Sequence, residues 1–322
     1  MSNFSYYETL LSQGILPEKE FFQECSQDFL DWYDKIYYTN FLEHLCIEEG
    51  LVEIFFHNFS HIVLKFFSKT SVHYENIFFS EKEYFLFLQT FALKRKISWN
   101  QTQDFVCFFT EIHAILFRVT LSFTADSPKM FLRKIQKTPL ILKSFCEESS
   151  FIESLIVKKK NILIAGSTGS GKSSLLSSLL GFIPQEEHVI ILEDHFELTC
   201  SLPFTTRLVG QDFSVLVPRS LRMTPDRIIL GEIRSYEVLG LQLILNTGHQ
   251  GVMATLHASS AVNALERLAL LYTIYAKNLE YALSLKLFCQ NIHYVIFLEK
   301  GRIETTIEIK GSLGDKVLYI EE

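Results

Sequence analysis

The chain lacks paired cysteines. Its six, Cys25, Cys46, Cys107, Cys146, Cys200 and Cys289, stand singly, with no Cys-x-x-Cys. That spacing excludes the common zinc motifs and predicts a chain kept reduced in the cytosol. An uninterrupted apolar run is missing too. The most hydrophobic window, residues 105–123, carries Glu111, His113 and Arg118. Three ionisable groups at membrane depth are costly, so no transmembrane helix is predicted. No basic stretch precedes an apolar core at the N-terminus, so no signal peptide is expected. Positive charge is not in excess. The formal net charge is −7, and residues 1–64 hold 11 acidic and 2 basic side chains. The rest of the chain is then close to neutral, which gives no global attraction for DNA or RNA. Internal repeats and low-complexity tracts are absent.

What is present is a globular composition. Hydrophobic residues make up 48% and charged residues 21% of 322, enough for two domains. Residues 1–45 are acidic and aromatic, with Phe21, Phe22, Phe29, Trp32, Tyr33, Tyr37, Tyr38 and Phe41. The spacing of Phe22, Phe29, Trp32 and Tyr33 suits amphipathic helix, which packs on its own domain or offers a docking surface. Residues 51–56 and 61–67 read as a hairpin, 81–94 as a helix, 112–121 as a strand and 130–134 as a last strand after a turn at 124–129. Residues 46–133 therefore form an α+β domain without a catalytic motif, and 134–145 a linker. Beyond it strands at 161–165, 188–193, 227–230 and 252–256 alternate with helices at 173–180, 236–245 and 261–275. That order predicts a parallel α/β core with both faces covered, spanning 146–322. Residues 292–297, 303–309 and 317–320 read as antiparallel strands extending the sheet.

Four clusters carry chemistry, each at the carboxyl end of a predicted strand, where open α/β sheets bind ligands. The first is Gly166-Ser-Thr-Gly-Ser-Gly-Lys-Ser173, a P-loop. Gly166, Ser167, Thr168, Gly169, Ser170 and Gly171 bring backbone N–H groups onto one anion. Lys172 adds a mobile charge for the β/γ-phosphates, the Ser173 hydroxyl suits Mg²⁺, and Ser174 follows in the same helix. The second holds Glu193 and Asp194 just past an apolar strand, either a support for hydrated Mg²⁺ or a solvated strand end. The third ends a buried strand at Gly231-Glu232, where Glu232 can polarise an attacking water. Gly231 stands where Walker B motifs usually have Asp, so metal contact falls more on Ser173, with waters linking Glu193 and Glu232. Arg222, Arg227 and Arg234 cluster nearby, and a structural pairing with a carboxylate is favoured for each. The fourth is Asn246-Thr-Gly-His-Gln-Gly-Val-Met-Ala-Thr-Leu-His257, in which His257 can sense the γ-phosphate.

With all four in order, the chain resembles the secretion ATPase superfamily of type II and type IV secretion, conjugation and type IV or Tad pili. The boxes are 166–174, 192–198, 221–234 and 246–258, and the resemblance spans roughly residues 130–310. Gly-Glu in place of Asp-Glu belongs to that family's pattern. The Glu-Asp-x-x-Glu-Leu form is most similar to the conjugation and type IV secretion traffic ATPases and their Tad-pilus cousins. Lacking Cys-x-x-Cys, the chain departs from the type II branch; His195 stands where retraction motors usually have Pro.

The resemblance implies a RecA-like P-loop NTPase C-terminal domain preceded by a smaller α+β, PAS-like N-terminal domain. It implies ATP and Mg²⁺ as ligands, a homohexamer, and peripheral association with inner-membrane components at the cytoplasmic face, without direct nucleic-acid binding. It gives Lys172 and Ser173 the phosphate and Mg²⁺, Glu193 support of metal and water, Glu232 the catalytic carboxylate and His257 the γ-phosphate sensor. Arg133 matches one arginine that completes the site in relatives. The other belongs to a Gly-x-Arg, where this chain reads Glu111-Ile-His113, so that arginine is either lost or replaced by Arg118. The expected function is an ATPase motor for secretion or pilus assembly. A nucleotide-switched assembly protein with little turnover is the alternative, and a nucleic-acid translocase fits the acidic balance less well.

Overall fold

The computed structural model describes residues 2–66, 69–99, 104–124, 126–135, 139–277 and 279–322, and of Asn40 the backbone alone. They fall into two compact units, residues 1–137 and 138–322.

In the first unit α1 (Asn3–Ser12), α2 (Gln27–Tyr33), α3 (Asn40–Cys46) and α4 (Glu81–Lys94) cover one face of an antiparallel sheet. Its strands are β1 (Leu51–Asn58), β2 (His61–Phe66), β3 (Val72–Glu75), β4 (Phe105–Ile112), β5 (Ile115–Phe123) and β6 (Pro128–Lys134), in the order β3-β2-β1-β6-β5-β4 among the described residues. Alternation sets the covered face. Ile54 and Phe56 on β1, Phe117 and Val119 on β5, and Met130 and Leu132 on β6 are fully buried, while Phe55, Arg118, Thr120 and Phe131 between them are half-buried. Residues 1–45 do not stand apart as a segment. Tyr7, Phe29 and Tyr33 are buried in the same core as the sheet, and the Tyr7 hydroxyl lies 2.7 Å from Thr90 Oγ1 on α4. Aromatic contacts at 4.9–6.0 Å link Tyr7, Phe22, Phe29, Trp32, Tyr33 and Tyr37, so the aromatic face packs inward.

The strand expected at 112–121 is β5 from Ile115 onward, with Ile112 ending β4 on the other side of a turn. His113 (φ +50°) and Ala114 (φ +58°) form a two-residue turn between β4 and β5. No glycine or asparagine announces it. The apolar window at 105–123 is this hairpin. Phe67 of the expected strand 61–67, Ala125 of the expected turn and residues 136–138 of the expected linker lie outside the described residues. Lys134 still belongs to β6, and Leu142 and Phe145 are buried in the second unit's core, so little of 134–145 is linker.

The second unit opens with α5 (Ser150–Val157) and continues β7 (Ile162–Gly166), α6 (Lys172–Leu180), β8 (Val189–Glu193), β9 (Thr205–Val209), α7 (Phe213–Leu221), β10 (Arg227–Ile233), α8 (Glu237–Asn246), β11 (Met253–His257), α9 (Ala261–Ala276), α10 (Tyr281–Asn291), β12 (Tyr294–Glu299), β13 (Arg302–Leu313) and β14 (Lys316–Glu321). The strand order is β14-β13-β12-β7-β11-β10-β8-β9, with β12 to β9 mutually parallel. Both faces are buried. Leu163, Ala165, Ile190, Leu192, Ile228 and Leu230 point to a layer with α7–α10, while Ile162, Ile164, Val189, Ile191 and Ile229 point to α5 and α6. That two-sided burial makes each strand an unbroken apolar run. Helix α6 buries Leu175, Leu176, Leu179 and Leu180, each stabilising by roughly 1.5–3 kcal/mol.

The tail differs from expectation in one respect. Strand β12 runs parallel to β7, and only β13 and β14 are antiparallel. Helix α10 returns the chain to the sheet end from which β12 can enter parallel.

Candidate nucleotide-binding site

Strand β7 ends at Gly166, and residues 167–171 turn into α6. Gly166 holds φ +155°, and a Cβ there would stand 2.5 Å from Leu298 O and 2.5 Å from Ser170 Oγ, so no side chain fits. Ser167, Thr168 and Gly169 are exposed, and Ser173 and Ser174 are half-buried in the first helical turn. Gly171, the N-cap of α6, makes no side-chain capping bond, which leaves the first N–H groups of the helix for an anion. Ser170 Oγ is buried and has no partner among the described residues. A cradle with an unsatisfied hydroxyl and open helix donors fits a polyphosphate.

Lys172 is 7% exposed. Its Nζ donates to Gly166 O (3.0 Å), Ser167 O (2.8 Å) and His257 Nδ1 (3.1 Å). An ammonium can only donate, so Nδ1 accepts and the imidazole carries its proton on Nε2. That nitrogen lies 2.7 Å from Glu232 Oε1. Burial, and then the Lys172 charge, lower the His257 pKa.

Glu232 is held on its other side as well. Arg234 Nη2 donates to Glu232 Oε2, and Arg234 Nη1 to Asp194 Oδ2 at 2.7 Å. His195 Nδ1 lies 3.1 Å from the same Asp194 oxygen. Burial opposes the Arg234 charge, but the bond to Glu232 and the charges of Asp194 and Glu232 outweigh it and raise its pKa.

Glu193 is buried at 1% exposure. Its Oε1 accepts from the N–H groups of Glu197 (3.0 Å) and Leu198 (2.7 Å), and its Oε2 from Arg207 Nη1 (2.9 Å). Burial raises its pKa, and those donors work against the rise. Gly231 explains the absent Walker B Asp: a Cβ at 231 would stand 3.0 Å from Glu193 Cγ. A carboxylate there would crowd a buried carboxylate.

The residues 166–174, Glu193, Glu232 and His257 thus meet at the carboxyl ends of β7, β8, β10 and β11. Arg133 lies in the other unit, on β6, directly across from Arg118 on β5 and from Glu53 on β1, with Arg133 Nε 3.8 Å from Glu53 Oε1. The other arginines differ among themselves. Arg227 is buried and structural: it donates to Glu187 Oε2 (2.5 Å) and Ile156 O (2.7 Å). Arg222 is exposed. His249 sits before β11, at the opposite end from His257, beside Thr247 Oγ1 (2.9 Å). The reading from sequence missed Arg207 and its strand. The run Thr205-Thr-Arg-Leu-Val209, rich in β-branched residues, was the available signal.

The family model of type II/IV secretion system proteins matches residues 110–293, more than half of the chain. A putative conjugal transfer protein of Mycobacterium tuberculosis is 35% identical over 122 residues, 35% of this chain and 35% of its own length. The type IV secretion system protein VirB11 of Bartonella quintana is 33% identical over 190 residues, 56% of this chain and 48% of its own. The chain therefore spans about a third to a half of these relatives. Two solved structures share the fold. The pilus retraction motor PilT, solved with bound ADP, has a TM-score of 0.61 at 18% identity, over 88% of this chain and 81% of that one. The ATPase DotB of Legionella pneumophila has 0.60 at 18%, over 95% and 82%. With four boxes gathered on one sheet edge, the expected two-part fold present and the family model matched over more than half of the chain, the chain belongs to the type II/IV secretion system protein family.

Proposed function

We propose that the protein is an ATP hydrolase that drives a type IV secretion, conjugation or pilus-assembly machine. One observation carries this reading: the Lys172–His257 hydrogen bond at the phosphate cradle, with His257 Nε2 in turn 2.7 Å from Glu232 Oε1. The names of the relatives, conjugal transfer and type IV secretion, support the machine class.

In this reading residues 166–174 bind the phosphates. Lys172 leaves the carbonyls of Gly166 and Ser167 for the β/γ-phosphates. Glu232 polarises the attacking water, and His257, released by Lys172, reports on the γ-phosphate. When bound, Mg²⁺ would supply charge neutralisation to the phosphates. The Ser173 hydroxyl would hold it directly and Glu193 through water, since three protein donors already engage that carboxylate. Arg133 completes the site as an arginine finger, with Arg118 in place of the absent Gly-x-Arg. We further propose a homohexamer held peripherally at the cytoplasmic face of the inner membrane. Among the described residues no helix is long and apolar enough to cross a membrane.

Phosphate release by the purified protein with ATP and Mg²⁺ tests the reading. Lys172→Ala is expected to abolish turnover, and Glu232→Gln to keep ATP while hydrolysing it slowly; wild-type rates in both would refute it. Arg133→Ala is expected to lose about 10³–10⁵-fold, and a normal rate would make that arginine structural. Light scattering should give six times 37.3 kDa.

One observation favours the second reading, a nucleotide-switched assembly protein. His113, at the position expected for the second arginine, is fixed in a hairpin turn 3.0 Å from Glu43. Tight ATP binding without steady phosphate release would select it.

A further inference from the structure

The polar contacts at the sheet edge follow the order of the strands. Lys172, just past β7, meets His257 on β11; His257 meets Glu232 on β10; Glu232 meets Arg234; and Arg234 meets Asp194, just past β8. Arg234 is the member between two carboxylates. We propose that Arg234, anchored by Asp194, is a positioning residue that fixes the Glu232 carboxylate in its working orientation.

Three features carry this. The guanidinium is a rigid planar fork, and here each prong takes a different carboxylate, Nη1 that of Asp194 and Nη2 that of Glu232. Its backbone is pinned as well: Glu237 Oε2 accepts from the N–H of Arg234 (3.1 Å) and of Ser235 (2.6 Å), fixing the turn from β10 into α8. And without the cation, Glu232 and Asp194 would face each other as like charges from adjacent strands, driving Glu232 off its contact with His257. His257 flanks Glu232 on the nucleotide side, and Arg234 holds it from the far side. A merely structural ion pair at this half-exposed position would contribute little; a positioning one controls the rate.

The inference rests on Glu232 as the water-polarising group, so Glu232→Gln is measured alongside. The assay uses the full chain: steady-state phosphate release, with binding of a fluorescent ATP analogue measured separately. Arg234→Ala is expected to lower kcat by about 10²-fold, the usual result of misplacing a reacting group by an ångström, with affinity for the analogue within about twofold of wild type. Arg234→Lys is expected to stay low, because a point charge cannot bridge both carboxylates. Adding Asp194→Asn to Arg234→Ala removes the facing charge and is expected to recover part of the rate. A wild-type kcat in Arg234→Ala, full rescue by lysine, or no recovery in the double variant overturns the proposal. If Arg234→Ala does not fold, Arg234→Gln with and without Asp194→Asn gives the same comparison. Fast turnover in Glu232→Gln would instead sink the functional reading beneath it.

Discussion

His257 accepts from Lys172 at Nδ1, which only the neutral ring allows, and brings Nε2 within 2.7 Å of Glu232 Oε1. Adding a proton at Nδ1 would set an N–H against the Lys172 ammonium. Its pKa in the fold lies below the free value. The neutral ring therefore stabilises the fold above the free value, about 6.5, and that contribution is lost as pH falls below it. Wild-type protein should lose more Tm than His257→Gln between about pH 7.5 and about pH 5.5; equal losses would show that the ring titrates freely. Arg227 poses the opposite case. It is buried against Glu187, so Arg227→Ala leaves that carboxylate with Lys159 alone and the Ile156 carbonyl without its donor, and should cost about 3 kcal/mol in denaturant unfolding. At this scale the placement of Lys172, Glu232 and His257 was legible because each sits in a local motif at a strand end. Arg207 was not, since no spacing tells which carboxylate a lone arginine on an unread strand will meet. Arg227 and Arg234 were seen as a cluster, but their different partners come from the sheet register.

Elements were legible where one period dominated. Helices α4, α6, α8 and α9 and strands β7, β8, β10 and β11 lie within a residue or a few of expectation, because two-sided burial makes the strands continuous apolar runs. The β4–β5 hairpin was not, because its turn uses His113 and Ala114 rather than the residues that tolerate positive φ. A left-handed alanine costs about 1 kcal/mol, so Ala114→Gly should raise stability by up to that amount, seen as a higher Tm; an unchanged or lower Tm would show the turn to be relaxed as it stands. In α6, Leu179→Ala should cost about 2–5 kcal/mol, since the side chain is fully buried between sheet and helix. Helix α5 was missed because it is short, and α7 because it is interrupted. Pro218 lies inside α7, a residue that reads as a breaker.

For the whole molecule, each unit has its own core among the described residues. Residues 139–322 alone should therefore fold cooperatively and bind a fluorescent ATP analogue. If Arg133 acts as proposed, the same fragment should turn ATP over far more slowly than the full chain; full turnover would confine catalysis to the second unit. The two-part architecture was readable from the change in pattern near residue 140. The join at 46 was not physical, because aromatic side chains from the first forty residues complete the first unit's interior. Reactive groups at one rim of parallel strands have a price in tolerance to length changes. Side chains alternate between the two apolar layers, so deleting a single amino acid within β10 would turn Glu232 inward among leucines and isoleucines and send a hydrocarbon to the rim. Indels in these four strands should thus be more damaging than almost any exchange of one residue for another, while loops between them absorb added length.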